Sequence, residues 1–112
     1  MKQIVSIKKT REFQKVYNNR VSYANRLLIM YIKENNLDHC RLGISVSKKV
    51  GNSVVRHGFS RFVRESYRLN KHLINNNYDI VVIGRANAKD KRYKEICSAF
   101  IHLLRLHKIL NK

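Results

Sequence analysis

Between residues 53 and 73 the chain has to form a helix with two incompatible sides, and this constrains the fold more than any other stretch. At helical spacing Val55, Phe59, Phe62, Val63, Leu69 and Leu73 cluster on one side, while Arg56, His57, Arg61, Arg64, Arg68 and Lys71 fall opposite. An apolar stripe of that period belongs to a helix lying on a core, so the cations point outward. Upstream, Leu42, Ile44 and Val46 alternate with Gly43, Ser45 and Ser47, the period of a strand with one buried face and one small, polar face. Gly51 turns the chain between the two, Asn52 or Ser53 can cap the helix, and Lys48 and Lys49 stand just before the turn. Unpaired helix amides and two lysines thus converge on one anion-sized place. Most charge runs are merely solvated, but a solvated helix face mixes its signs. This one sets six basic or potentially basic groups against Glu65 alone.

The rest of the chain supplies partners for that helix. A first helix is expected from Thr10, whose hydroxyl can cap it while Glu12 complements the first turn; Phe13, Val16 and Tyr17 share one side, and Asn18 and Asn19 end it. Residues 22–33 are strongly strand-like, with room for a separate short strand around 21–24. Asn35-Asn36-Leu37-Asp38 then turns into the strand from Arg41 to Ser47, and these two strands are expected to form a hairpin. Tyr78 to Ile83 is a further strand, and Tyr93, Ile96, Cys97, Phe100, Leu103, Leu104 and His107 mark a last amphipathic helix. At 112 residues the expectation is one domain over 1–112, in the order α, β, β, α, β, α.

Lysine and arginine number 24 against seven acids, for a formal charge of +17. Such a charge opposes compaction by self-repulsion, and a polyanionic partner relieves it. No apolar run approaches the roughly 20 residues that span a bilayer, and the amino end lacks the apolar core of a secretory signal, so no membrane partner and a cytoplasmic location are expected. A basic helix lying on a membrane surface is disfavoured because a small domain's core needs the apolar side of residues 53–73. Cys40 and Cys97 lack the paired spacing of a zinc site and are expected to be reduced, Cys97 on the apolar face of the last helix.

A protein nuclease gathers carboxylates around a metal or pairs a histidine with another acid or base. Here Glu12, Glu34, Asp38, Glu65, Asp79, Asp90 and Glu95 are scattered, and among arginines Glu65 is best placed to hold a guanidinium. His39, His72, His102 and His107 lack metal-ligand spacing and read as surface or boundary residues. Aromatic groups suggest binding instead. Phe13 and Tyr17 lie one helical turn apart, and Tyr31 shares a strand face with Leu27 and Ile29, opposite the aliphatic Leu28, Met30 and Ile32. With small Ser45 and Ser47, these rings would make a floor for stacked bases. Core packing and a cleft suit Phe13 equally; the polar tips of Tyr17 and Tyr31 favour the cleft. Arg85, Lys89, Lys91 and Arg92 fit either a positive rim or a solvated loop.

The run Gly43-Ile-Ser-Val-Ser-Lys-Lys-Val-Gly-Asn-Ser-Val-Val-Arg-His-Gly-Phe-Ser-Arg-Phe-Val-Arg-Glu-Ser-Tyr-Arg68 resembles the signature of the bacterial ribonuclease P protein subunit. The likeness extends over nearly the whole chain, through Glu12-Phe13-Gln14-Lys15-Val16-Tyr17, Tyr23-Ala24-Asn25-Arg26 and Tyr78-Asp79-Ile80-Val81-Val82. It implies an α/β (α+β) domain with a four-stranded sheet and three helices, similar to the second domain of ribosomal protein S5. The implied βαβ crossover is left-handed, where strand-helix-strand order alone suggests the common right-handed one. The resemblance implies an RNA partner that performs Mg²⁺-dependent removal of the 5′ leader from precursor tRNA, with the metal held mainly by RNA and no catalytic residue in the protein. Lys48, Lys49, Arg56, His57, Arg61, Arg64 and Arg68 would then face the catalytic RNA. A cleft of Phe13, Tyr17, Ile29, Tyr31 and Ser45 would take the leader. The family's helix usually reads Arg-Asn-Arg-x-Lys-Arg, whereas this chain has Arg56-His57-Gly58-Phe59-Ser60-Arg61, so two cations are missing, at Gly58 and Ser60, and a neutral His57 imidazole stands for the amide. The competing reading is a ribosomal or other structural RNA-binding protein without a catalytic partner, and the ordered signature favours the first.

Overall fold

The computed structural model describes residues 4–111. The chain runs α1 (Thr10–Asn18), β1 (Ser22–Ala24), β2 (Leu28–Glu34), β3 (Arg41–Val46), α2 (Ser53–Asn70), β4 (Tyr78–Gly84) and α3 (Tyr93–Leu106), with 3-10 turns at Lys71–Leu73 and Ala86–Ala88. The four strands form one sheet in the order β1-β2-β4-β3. β1 and β4 both lie antiparallel to β2, and β3 runs parallel to β4. The parallel pair is joined through α2, which makes β3-α2-β4 a crossover unit.

The expected hairpin between β2 and β3 does not form, because β4 lies between them. The reason is burial: Ile80, Val81 and Val82 are fully buried, on both faces of the sheet, which only a central strand allows. β2 instead makes its hairpin with β1, through a turn built on Asn25. The Asn25 Oδ1 accepts from the amides of Leu27 and Leu28 at 3.2 and 2.9 Å, and its Nδ2 donates to the Ala99 carbonyl of α3 at 2.9 Å. At the other edge, residues 5–7 cap β3: the Leu42 amide donates to the Val5 carbonyl at 2.9 Å and the Ile7 amide to the Leu42 carbonyl at 2.8 Å.

Strand alternation divides the molecule into two layers of side chains. On one face, Leu28, Met30, Ile32, Leu42, Ile80 and Val82 meet Phe59, Val63 and Tyr67 of α2 and Ile96, Phe100, Leu103 and Leu104 of α3 in the main core. Phe59 sits so close to Gly84 that a Cβ there would lie 2.8 Å from its ring, which fixes α2 over the ends of β3 and β4. On the opposite face α1 packs alone, through Val16 against Ile7 and Val81, flanked by Phe13, Tyr17, Tyr31 and Ile83.

Local signals needed correction in three places. Thr10 is the first residue of α1 and not its cap; Lys9 occupies that position and makes no side-chain cap bond. The buried stripe of α2 is Phe59, Val63, Ser66 and Tyr67, while Leu69 and Leu73 are exposed, because α2 clears the sheet after Tyr67 and the chain then tightens into a 3-10 turn. Leu27 precedes β2 and turns into the main core, so it does not share the Ile29 and Tyr31 face. Other expectations hold. Asn52 caps α2, accepting from the Val55 amide at 3.0 Å, and α1 ends at Asn18, with Arg20 beyond it in the left-handed region at φ 58°. His107 is a boundary residue, half-buried with Nε2 at 2.9 Å from the Met30 carbonyl; burial lowers its pKa.

Candidate nucleic-acid interface

Two surfaces gather the residues singled out in the sequence. The first is the outer side of α2. His57, Arg61, Arg64 and Arg68 are exposed there, and Lys48 and Lys49 are exposed on the turn that precedes the helix. The turn requires Gly51, whose φ of 151° disfavours L side chains and whose added Cβ would lie 2.7 Å from Val55. Ser53, His57, Gly58, Arg61 and Arg64 line a shallow groove of about 690 Å³.

The cations are not equivalent. Arg68 is held by Glu65 through two hydrogen bonds, Nε to Oε1 at 2.8 Å and Nη2 to Oε2 at 2.7 Å, so Glu65 does hold a guanidinium. Arg68 also holds the Glu65 carboxyl below the usual range. Arg56 differs from the others because it lies three and seven residues before Phe59 and Val63, on the packing side of the wheel. It is half-buried, and its buried Nε has no hydrogen-bond partner among the described residues. A buried donor of this kind is costly until an acceptor reaches it.

The second surface is the face of the sheet beneath α1. Strand register places three rows across β2, β4 and β3: Lys33, Asp79 and Arg41; Tyr31, Val81 and Gly43; Ile29, Ile83 and Ser45. The helix covers the middle row. The Phe13 ring lies against Gly43, where a Cβ would come within 2.9 Å of it, and Tyr17 meets Tyr31 edge-on with centroids 5.0 Å apart. The Phe13 ring thus packs between α1 and β3, and it is half-buried, as Tyr17 and Tyr31 are. Burial raises the Tyr17 pKa, and the neighbouring Ser45 hydroxyl opposes that shift. The row of Ile29, Ile83 and Ser45 remains half-exposed beside the rings.

The same end of the sheet carries the chain out of β3 toward Lys48 and Lys49 and out of β4 into Arg85, so the open row and the lysine turn are continuous. Arg85 Nη1 donates to the Asn25 carbonyl at 2.9 Å, and Arg85, Lys89, Lys91 and Arg92 are all exposed near that rim.

The opposite row holds residues that sequence reading passed over. Arg41 bridges Asp79 and Glu12, and Asn35 donates to Asp79 at 2.8 Å. Burial pushes the Asp79 pKa up, but hydrogen bonds from Arg41 and Asn35 outweigh it and hold the carboxyl below the usual range. Most other carboxylates are also engaged. Asp38 meets His39, Glu34 accepts from Asn76, and Glu95 accepts from the Arg92 amide at the start of α3. No group of three His, Cys, Asp or Glu residues converges among the described residues. No described helix is long and apolar enough to cross a membrane.

Comparison with known proteins gives a consistent assignment. The ribonuclease P family model matches residues 1–108. The chain is 56% identical over 106 residues to the ribonuclease P protein component of Lachnoclostridium phytofermentans, across 95% of this chain and 91% of that protein. Against the component from Alkaliphilus metalliredigens it is 51% identical, across 94% and 95%. Among solved structures, the Staphylococcus aureus RNase P protein superposes with a TM-score of 0.89 at 41% identity, covering 97% of this chain and 100% of that one. The Thermotoga maritima RNase P protein gives 0.81 at 28% identity, covering 90% and 96%. With an α+β sheet shared across those structures and the signature on its crossover helix, the chain belongs to the ribonuclease P protein family, as the protein component of that tRNA-processing ribonucleoprotein endoribonuclease.

Proposed function

We propose that this protein works by holding two RNAs at once while the chemistry is performed by the RNA subunit. The outer side of α2, with Lys48, Lys49, His57, Arg61 and Arg64, binds phosphates of the catalytic RNA, and a phosphate oxygen reaching Arg56 satisfies its buried Nε. The open row of Ile29, Ile83 and Ser45, walled by Tyr17 and Tyr31, takes the single-stranded 5′ leader of precursor tRNA. Mg²⁺ is bound by the RNA, consistent with carboxylates committed to Arg41, Arg68, His39, Asn76 and the α3 cap. The assembly works in the cytoplasm.

One observation carries the leader assignment: a half-exposed strand row lies beside two tyrosine rings and runs into a lysine turn, an arrangement suited to unpaired bases above a tracked phosphate backbone. Membership of the ribonuclease P family decides against a structural RNA-binding protein without a catalytic partner.

The test is reconstitution with the cognate catalytic RNA at limiting Mg²⁺, comparing leader removal with and without protein. Stimulation is expected, and no cleavage by RNA-free protein; robust cleavage by protein alone would overturn the reading. Tyr17→Ala and Tyr31→Ala should each weaken precursor tRNA by on the order of 1 kcal/mol and leave mature tRNA unchanged, since only the precursor has a leader to stack. Equal weakening of both substrates removes the rings from the leader site.

A further inference from the structure

Among the described residues, Arg41 ties α1 by hydrogen bonds to both strands of the parallel pair. Its Nε and Nη2 donate to Asp79 Oδ1 and Oδ2 at 2.9 and 2.7 Å, across a register in which the two residues are direct partners. Its Nη1 donates to Glu12 Oε2 at 2.7 Å, in the first turn of α1. In a chain of formal charge +17 this guanidinium is matched by two carboxylates and its side chain is only 19% exposed, so it adds little to the surface that meets RNA.

The helix it holds cannot place itself. α1 has nine residues, fewer than an isolated helix needs in water, and it lacks a side-chain cap. Its seat on the sheet comes from attachments along its length. Near the far end Asn19 Nδ2 donates to the Ile32 carbonyl of β2 at 3.0 Å; in the middle Val16 and the rings are buried; at the near end there is Glu12 on Arg41. Without the Glu12 bond, α1 keeps Phe13 on Gly43, Val16 in the small core and Asn19 on β2, a row of attachments about which a short helix can roll. Tyr17 projects from that helix, with its ring 5.0 Å from Tyr31 of β2, so a roll moves one wall of the groove against a floor that stays still.

We propose that Arg41 and Glu12 are positioning residues: they set the roll of α1 on the sheet, and so the width of the groove beside Tyr17 and Tyr31, without touching RNA. The proposal rests on the reading of that groove as the leader site.

The experiment uses holoenzyme reconstituted with catalytic RNA and measures affinity for precursor and mature tRNA, with Tyr17→Ala as reference. Arg41 itself is a poor first target, because its loss strands Asp79. Glu12→Ala should lower the precursor-to-mature affinity ratio about threefold to tenfold, comparable to losing one stacking platform. Affinity for catalytic RNA and affinity for mature tRNA should stay at wild-type values, while the thermal midpoint falls slightly with the loss of the Arg41 pair. Glu12→Asp keeps the charge but shortens the reach, and should behave like Glu12→Ala. Glu12→Gln keeps an acceptor at full reach and should retain most of the ratio. If Tyr17→Ala lowers the ratio and Glu12→Ala does not, the clamp is overturned and the groove stands. If neither variant changes it, the leader assignment fails and the clamp with it. A wild-type ratio in Glu12→Asp, or a parallel loss of catalytic RNA binding in Glu12→Ala, also overturns the clamp, the first by pointing to charge without contact and the second to general disruption.

Discussion

The two faces of the sheet are made by the same strands and solve opposite problems. Beneath α2 and α3, Leu28, Met30, Ile80, Val63, Phe100 and Leu104 are all fully buried, and two helices share the cover. Beneath α1, Val16 and Val81 are fully buried, but Phe13, Tyr17, Tyr31, Ile29 and Ile83 each stay half-exposed. The first face stabilises the fold. The second gives up burial along a whole strand row and is held in shape by an ion-pair network at its closed end. β4, apolar on both sides, belongs to both layers, so burial on one face holds in place the half-exposed row on the other.

The largest effects should therefore come from the α2 and α3 side. Phe100→Ala is expected to cost about 3–5 kcal/mol in denaturant unfolding, the range for emptying a buried aromatic site. Phe13→Ala should cost clearly less, about 1–2 kcal/mol, because its half-exposed ring gives up less transfer free energy. Equal costs would break the comparison and make the α1 layer a second core.

Next is the closed end of the groove. Arg41→Met leaves Asp79 buried without its charge partner, and breaking such a pair costs about 3 kcal/mol. Acid should reveal the same network. The carboxyls of Asp79 and Glu12 have folded pKa values below their ordinary 3.8 and 4.5, so their contribution is complete above those values and is lost as pH falls through the lower, folded ones. Unfolding free energy measured from pH 5 down to 2 should fall, and less steeply in a Glu12→Gln variant. A slope unchanged by that substitution would show that Glu12 gains nothing from Arg41.

How much of this was legible in the chain depends on the range of the forces involved. The amphipathic α2, the Asn52 cap, the Glu65 guanidinium partner and the small face of β3 follow from neighbours in sequence, and period or local hydrogen bonding reveals them. Strand order does not. It depends on which strand can be buried on both faces, and the unbroken run Ile80-Val81-Val82-Ile83 was the available signal for a central strand. Arg41, Asp79 and Glu12 are far apart in sequence and meet only through the parallel register and the placement of α1, so their pairing was invisible before the fold. Tyr67 was not part of the apolar stripe read from the sequence, yet it is among the largest fully buried side chains, in the core that the sheet shares with α2 and α3.

Among the exposed cations of α2 the effects should be smaller and graded. Arg61→Ala and Arg64→Ala are each expected to flatten the slope of log affinity against log salt for catalytic RNA by roughly one unit per lost phosphate contact. Arg68→Ala should flatten it less, since two of its donors are already given to Glu65. Equal slopes for all three would mean that the Glu65 pair opens on binding. Wild-type slopes throughout would leave this face merely solvated.

The smallest effect tests the least protein-like spot on α2. Gly58 lies inside the helix, where glycine costs about 0.5–1 kcal/mol relative to alanine. A Cβ built there meets nothing within 4 Å, so no packing demand explains the glycine. Gly58→Ala should raise the unfolding free energy by roughly that amount, and Gly58→Arg by a similar or slightly smaller one. Only the arginine variant should also bind catalytic RNA more tightly, with a steeper salt dependence, because the side chain would enter the groove already lined by His57, Arg61 and Arg64. If alanine and arginine bind the RNA alike, no phosphate lies within reach of position 58 and the RNA path runs closer to Arg61 and Arg64. If both variants lose stability, the open space beside Gly58 is needed by the helix itself, and the division between a packed side and a free side of α2 fails at its centre.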